Sequence, residues 1–209
     1  MMNHMRKIAG VAGWRIVVIA ALAALAPGCA RQMQSRGVRP AGAVAVEAAP
    51  THVTNFGRVS PGIFRGAATD REGFEELRRL GVKTVVDLRA MHDDRHDLRG
   101  LGLRYVSIPS FPWRPREEDI ARVLRVIAEP ANQPVFIHCA QGCDRTGCAV
   151  AVYRMVEQAW TLQRAEEEMR AFHFHPVWLP ISSYLENFKL EQFRLVLEAA
   201  VVPVVEKIP

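Results

Sequence analysis

The stretch from Val135 to Gly147 limits what this chain can fold into more than any other part of it. Val135, Phe136 and Ile137 form a short apolar run after the turn at Asn132 to Pro134, the pattern of a buried strand. Ala149, Val152, Tyr153, Val156 and Trp160 then recur at helical spacing, so Thr146 to Trp160 reads as a helix. Between the two lie Cys139 and, six residues later, Arg145. A strand that feeds a helix through a tight loop is a unit of α/β architecture. The loop must wrap around something at the helix N-terminus, where unpaired N–H groups and the positive end of the dipole favour an anion. A phosphate fits that place.

The residue types divide the chemistry. A helix N-terminus with a nearby cation favours thiolate over thiol, which makes Cys139 the expected nucleophile. Arg145 offers a planar fork that holds two phosphate oxygens at once. The backbone of Ala140, Gln141, Gly142, Cys143 and Asp144 completes the expected phosphate cradle, with Gly142 letting the chain bend toward the ligand. Thr146 can donate its hydroxyl to the sulfur and stabilise it as a leaving group. The competing reading is a buried structural cysteine beside an unrelated arginine.

His138 through Gly147 resembles the HC-x5-R-T signature of the cysteine-dependent protein tyrosine and dual-specificity phosphatases, and the ending Asp144-Arg145-Thr146-Gly147 is similar to their bacterial dual-specificity-like branch. The likeness runs outward through Ile63 to Gly66, Gly81 to Arg89 and Tyr153 to Trp160, covering roughly residues 55–190. It implies a two-step hydrolysis in which Cys139 takes the phosphoryl group and water releases phosphate, with His138 and Thr146 in support and neither metal nor cofactor. Rhodanese-type loops are shorter by one residue, and low-molecular-weight phosphatases carry the same spacing near their N-terminus. A phosphorylated protein, phosphotyrosine first, is the expected substrate, and a phosphoinositide, inositol phosphate or other small phosphorylated molecule is the alternative. Cys143 stands where some relatives place a lysine, which argues against an inositol polyphosphate. A phosphate-binding module without activity remains the reading from another class.

The general acid is where the sequence departs from that family. Related enzymes place an aspartate about thirty residues before the cysteine, but Ser107 to Trp113 holds no carboxylate. Asp144 is the first choice, since myotubularin-like phosphatases have an aspartate just before the loop arginine. Glu117, Glu118 and Asp119 are the alternatives, although acidic residues in a first helical turn are explained by the macrodipole alone. Cys143 could pair with Cys139 under oxidation, and Cys148 reads as a small core residue. His92 and His96 flank a charged run that reads as a solvated loop or short helix. His173 and His175, before Pro176, read as capping or pocket-rim residues.

Arg6, Lys7 and Arg15 precede an apolar stretch from Ile16 to Ala26, the layout of a secretory signal over residues 1–28. Its core is shorter than the roughly 20 residues of a membrane span. Leu25 to Cys29 resembles a bacterial lipobox, which implies a lipidated Cys29, a membrane partner and a cell-envelope location; a cleaved secreted protein and an uncleaved anchor are the alternatives. Residues 29–54 are then the anchor and a tether. The net charge of +5 includes three basic and no acidic residues in 1–28, so removing that segment leaves +2 and gives no case for nucleic-acid binding.

The remaining pattern predicts one α/β phosphatase domain over residues 55–200, a central sheet flanked by helices with a helical C-terminal part. Strands are expected at Gly62 to Arg65, Thr84 to Leu88 and Tyr105 to Ile108. Helices are expected from an Asp70 cap through Leu80, over Glu117 to Ala128, after Thr161, and, as the last one, from Ser182 or Ser183 with Leu185 and Phe188 packed. Residues 201–209 read as an apolar tail.

Overall fold

The computed structural model describes residues 49–209. The signal segment, Cys29 and most of the tether lie outside the described residues. β5 (Val135–Cys139) lies inside a sheet of order β1-β2-β5-β3-β4-β6. β2 (Ile63–Ala67) and β3 (Thr84–Asp87) flank it in parallel, and β4 (Arg104–Ser107) extends the parallel set. Two antiparallel strands close the edges: β1 (Gly57–Ser60), a hairpin partner of β2, and β6 (Glu206–Lys207), paired with β4. Every residue of β2, β3 and β5 is buried, as parallel strands covered on both faces must be.

Alternation along each strand separates two cores. Val86, Val135 and Ile137 face one with α3 (Glu117–Ala128) and α4 (Asp144–Glu157), joined by Met169 of α5 (Leu162–Ala171). Phe64, Val85 and Phe136 face the other, where α1 (Arg71–Arg79) supplies Phe74 and Leu77 and α2 (Arg95–Leu98) supplies Leu98. The caps form where expected: Asp70 accepts from Gly73 N and Thr161 from Arg164 N.

Four boundaries differ from the sequence reading. α4 begins at Asp144, so Asp144 and Arg145 stand on its first turn. The expected last helix is two, α6 (Leu179–Glu186), opened by Pro180 in its first turn, and α7 (Leu190–Ala199). Phe188 fills the break and packs on the rings of Tyr184 and Phe193. The tail is part of the domain, since β6 joins the sheet, Ile208 is buried and Arg95 grips Glu206 with both ends of its fork. The last tether residues also dock: Val53 is buried, Ala67 N donates to Thr54 O, and His52 N donates to Glu76. Among the described residues no helix is long and apolar enough to cross a membrane.

α4 is fastened by one buried ion pair. Arg154 donates through Nε to Glu168 Oε2 at 2.9 Å and through Nη2 to Oε1 at 2.5 Å. Its Nη1 donates to Val59 O at 2.8 Å and Gln158 Oε1 at 2.7 Å, while its guanidinium carbon lies 4.3 Å from the centre of the Trp160 ring. One side chain thereby joins α4 to α5 and β1.

Candidate active site

Parallel pairing brings Ala67, Asp87, His138 and Cys139 to the same edge of the sheet. That edge, at the carboxyl ends of the strands, is where open α/β sheets bind ligands. The chain leaves β5 at Cys139, turns through residues 140–143 and enters α4 at Asp144, so the expected cradle is assembled at a helix N-terminus. Gly142 has φ of 71°, and a Cβ there would collide with the Gly66 carbonyl. Only glycine suits that position.

The loop is held from outside the motif. Arg65 Nη2 donates to Gly142 O at 2.7 Å, and its guanidinium stacks on Phe172 at 3.9 Å from the ring centre. Burial pulls the Arg65 guanidinium down to about 10, with Glu168, Cys139 and Cys143 acting in the opposite direction. Asn55, at φ of 51°, donates to both Gln141 O and Phe172 O at 3.1 Å. Ala68 N donates to Cys139 O at 2.8 Å. The sequence reading assigned Arg65 no role; its signals were a charged residue inside an apolar strand and its place in the Ile63 to Gly66 stretch of the family likeness.

Cys139 is buried at the base of the loop. Arg145 reaches from the first turn of α4 across the sheet edge, donating to Leu88 O at 3.3 Å, with Ser110 O at 3.5 Å. Thr146 departs from expectation only in its place on the helix. Its hydroxyl, assigned to the sulfur only as that sulfur departs, is buried without a hydrogen-bond partner among the described residues and lies within the first turn of α4, two residues inside a helix that begins earlier than the sequence pattern predicts. The three cysteines among the described residues are free. Burial, then Asp144 and Cys139, push the Cys143 thiol up, and burial alone pushes the Cys148 thiol to about 12, as a core residue requires.

His138 is fully buried. Its Nε2 lies 3.0 Å from Asp94 Oδ2, off the hydrogen-bond line. Arg89 donates twice to Asp87 at 2.9 Å and also bonds Asp94, and Tyr105 donates to Asp87 at 3.2 Å. Burial pushes the Asp94 carboxyl up, but His138 and Arg89 outweigh it and hold it below the usual carboxylate range. Asp94 is the N-cap residue of α2 yet makes no side-chain cap bond, because its oxygens face Arg89 and His138. Asp87, Asp94 and His138 could geometrically surround a metal ion; the Arg89 guanidinium already fills the cationic place between the carboxylates. His92 and His96 are exposed, as the charged run implied.

The candidate acids separate. Asp144 accepts from His175 N at 2.9 Å, and His175 Nδ1 lies 3.0 Å from Oδ2 and 3.1 Å from Oδ1. Asp119 is buried, pairs with Arg122 at 3.3 Å and lines an apolar cavity with Leu88, Ser110 and Arg145. Burial raises its carboxyl above the ordinary range, with Arg116 and Arg122 opposing. Glu117 is half-buried and Glu118 exposed. Beside the loop, Phe111 lines a cavity with Arg145, and the Trp113 ring lies tilted against those of Phe111 at 5.0 Å and Trp178 at 6.4 Å.

The family model described as DSP-PTPase phosphatase fused to NAD+ kinase matches residues 51–178. The dual specificity protein phosphatase TpbA of Pseudomonas aeruginosa (strain UCBPP-PA14) is 35% identical over 146 residues, spanning 68% of this chain and 66% of TpbA, just under two thirds of that relative. A crystal structure of P. aeruginosa TpbA in complex with pTyr superposes with a TM-score of 0.66 at 34% identity, covering 76% of this chain and 97% of that one. The catalytic core of Siw14 from Saccharomyces cerevisiae shares the fold, with a TM-score of 0.62 at 24% identity over 72% of this chain and 95% of that one. With the strand, loop and helix in place and the model matched across them, the chain belongs to the DSP-PTPase phosphatases.

Proposed function

We propose that the protein hydrolyses phosphate monoesters, protein phosphotyrosine first, through a cysteinyl-phosphate intermediate. The observation that carries this is the loop between β5 and α4, with Cys139 at its base, Arg145 on the first helical turn and the intervening amides at the helix N-terminus. Cys139 Sγ attacks phosphorus, Arg145 and the amides of residues 140–145 take the charge that develops on the phosphoryl oxygens, and the leaving oxygen receives its proton on the Asp144 side of the loop. Water then cleaves the S–P bond. The unpartnered Thr146 hydroxyl lies buried on the same helical turn, available to the sulfur as it departs.

Two features favour an aryl phosphate. Phe111, Trp113 and Trp178 form an aromatic wall beside the loop, which suits a phenyl ring better than a polyanion. The TpbA complex with pTyr is a relative's precedent for such a ligand. The N-terminal pattern extends the proposal to a protein tethered to a bacterial envelope membrane through lipid on Cys29. Metabolic lipid labelling lost in Cys29→Ser would support the anchor, and equal labelling would remove it.

Phosphate release from a phosphotyrosine peptide, p-nitrophenyl phosphate and an inositol phosphate, without added metal, tests the activity beside Cys139→Ser. Turnover on the first two that disappears in the variant is the expected result. Equal rates in both proteins would refute thiolate chemistry, and turnover of the inositol phosphate alone would move the substrate class.

A further inference from the structure

In-line displacement by Cys139 drives the leaving oxygen away from the sulfur, toward the open side of the loop. The proton donor must therefore stand at the mouth, within hydrogen-bond reach of a group that is still partly in solvent. Asp144 is poorly placed to do this alone: its side chain is only 12% exposed, and it is engaged by the backbone and ring of His175. Asp119 shares a cavity with Ser110 and Arg145, but that cavity is only about 20 Å³, too small to admit a leaving group, and the carboxylate is paired with Arg122 at 3.3 Å. His175 has what both lack. Its side chain is 46% exposed, and its Nδ1 is fixed on Asp144, the residue immediately before Arg145. The segment that carries it is fastened to the loop at a second point, where Asn55 bridges Phe172 O and Gln141 O.

We infer that His175 is the general acid of this phosphatase, with Asp144 as its positioning residue. The assignment rests on the phosphatase reading above. Asp144 takes the hydrogen bond from Nδ1–H, which orients the ring and leaves Nε2 as the atom that exchanges protons with the substrate. In the first step the S–P bond forms, the P–O bond breaks, and the Nε2 proton passes to the leaving oxygen, releasing a phenol or alcohol. In the second step Nε2 takes a proton from water as its oxygen attacks phosphorus. The S–P bond breaks and inorganic phosphate leaves, with the thiolate and the protonated ring restored.

The test is the dependence of kcat on the leaving group. p-Nitrophenolate departs without help, whereas phenolate needs a proton. His175→Gln should slow phenyl phosphate by about a hundredfold, the lower end of what general acids contribute, and p-nitrophenyl phosphate by less than about threefold. Asp144→Asn should show the same asymmetry in weaker form, and free imidazole should restore part of the phenyl phosphate rate to His175→Ala. Equal losses on both substrates, or none on phenyl phosphate, would overturn the assignment while the phosphatase reading stands. A wild-type protein inactive on every ester would remove both together.

Discussion

Glu168 and Arg154 hold α4 in place, and removing one partner should be far worse than removing both. Both side chains are 2% exposed, so Arg154→Met leaves a carboxylate stranded out of water and also strips the Val59 carbonyl of its donor. Breaking a buried pair from one side costs about 3–5 kcal/mol. About 4 kcal/mol is expected here, and at about 2–4 °C per kcal/mol for a chain of this size it lowers Tm by about 8–16 °C. The double variant Arg154→Met, Glu168→Met replaces the pair with apolar side chains and should recover most of the loss, because the desolvation of two ions disappears with them. Urea unfolding of the full chain, followed by tryptophan fluorescence, reads the effect, since Trp160 lies against Arg154. A single-variant loss below about 1 kcal/mol, the value of an exposed pair, would show that water reaches the site. A double variant as unstable as the sum of its singles would show that the two residues are not coupled. Either result would refute the argument that this pair fastens the helix that carries Asp144 and Arg145.

Two further predictions concern the supports of the loop. Arg65→Met leaves the Gly142 carbonyl without its buried donor, so the cradle loosens and kcat/KM on p-nitrophenyl phosphate should fall by about tenfold to a hundredfold, the scale of a 1 Å misplacement; Arg65→Lys should rescue little, since an ammonium cannot stack on Phe172 and reach the carbonyl together, and full activity in either variant would make Arg65 dispensable. Asp94 has a carboxyl held below its ordinary range in the folded state, so it stabilises the fold above the unfolded carboxylate pKa and loses that contribution as pH falls through the folded value. The gap in urea midpoint between wild type and Asp94→Asn should therefore be widest near neutral pH and close in acid, and a gap that does not change with pH would contradict the pairing with His138 and Arg89.

What could be read from the sequence was whatever leaves a local trace. Ile120, Val123, Leu124 and Ile127 recur at helical spacing, and α3 runs over Glu117–Ala128 as that spacing predicts. Asp70 and Thr161 cap helices because a short oxygen side chain before an apolar period has few other uses. β1 and β6 escaped because an edge strand is defined by its neighbour: Glu206 and Lys207 are a strand only beside Arg104 and Tyr105. The break between α6 and α7 has neither glycine nor proline and is set by Phe188 turning inward between Tyr184 and Phe193. The supports of the site were hidden for the same reason. Arg65 and Gly142 are 77 residues apart, and His175 and Asp144 are 31 apart, so no period or motif links them.

Those distant supports bear on how so short a loop could hold the phosphoryl group that the proposed function assigns to it. A loop of four residues between a strand and a helix would spend its own polar groups on itself if nothing else satisfied them. Here Arg65 takes the Gly142 carbonyl, Asn55 takes the Gln141 carbonyl and Ala68 takes the Cys139 carbonyl. These acceptors are thus tied back from outside the motif and do not compete for the amides of the loop. The same division applies to charge. Asp94 faces His138 and Arg89, Asp144 faces His175, and Asp119, which shares a cavity with Arg145, pairs with Arg122, so each of these carboxylates is engaged by a partner of its own and none takes the Arg145 fork. Among the described residues Arg145 makes two long bonds, to the carbonyls of Leu88 and Ser110, and an arginine so held is cheap to redirect. A phosphoryl group that offers two charged oxygens outcompetes both carbonyls.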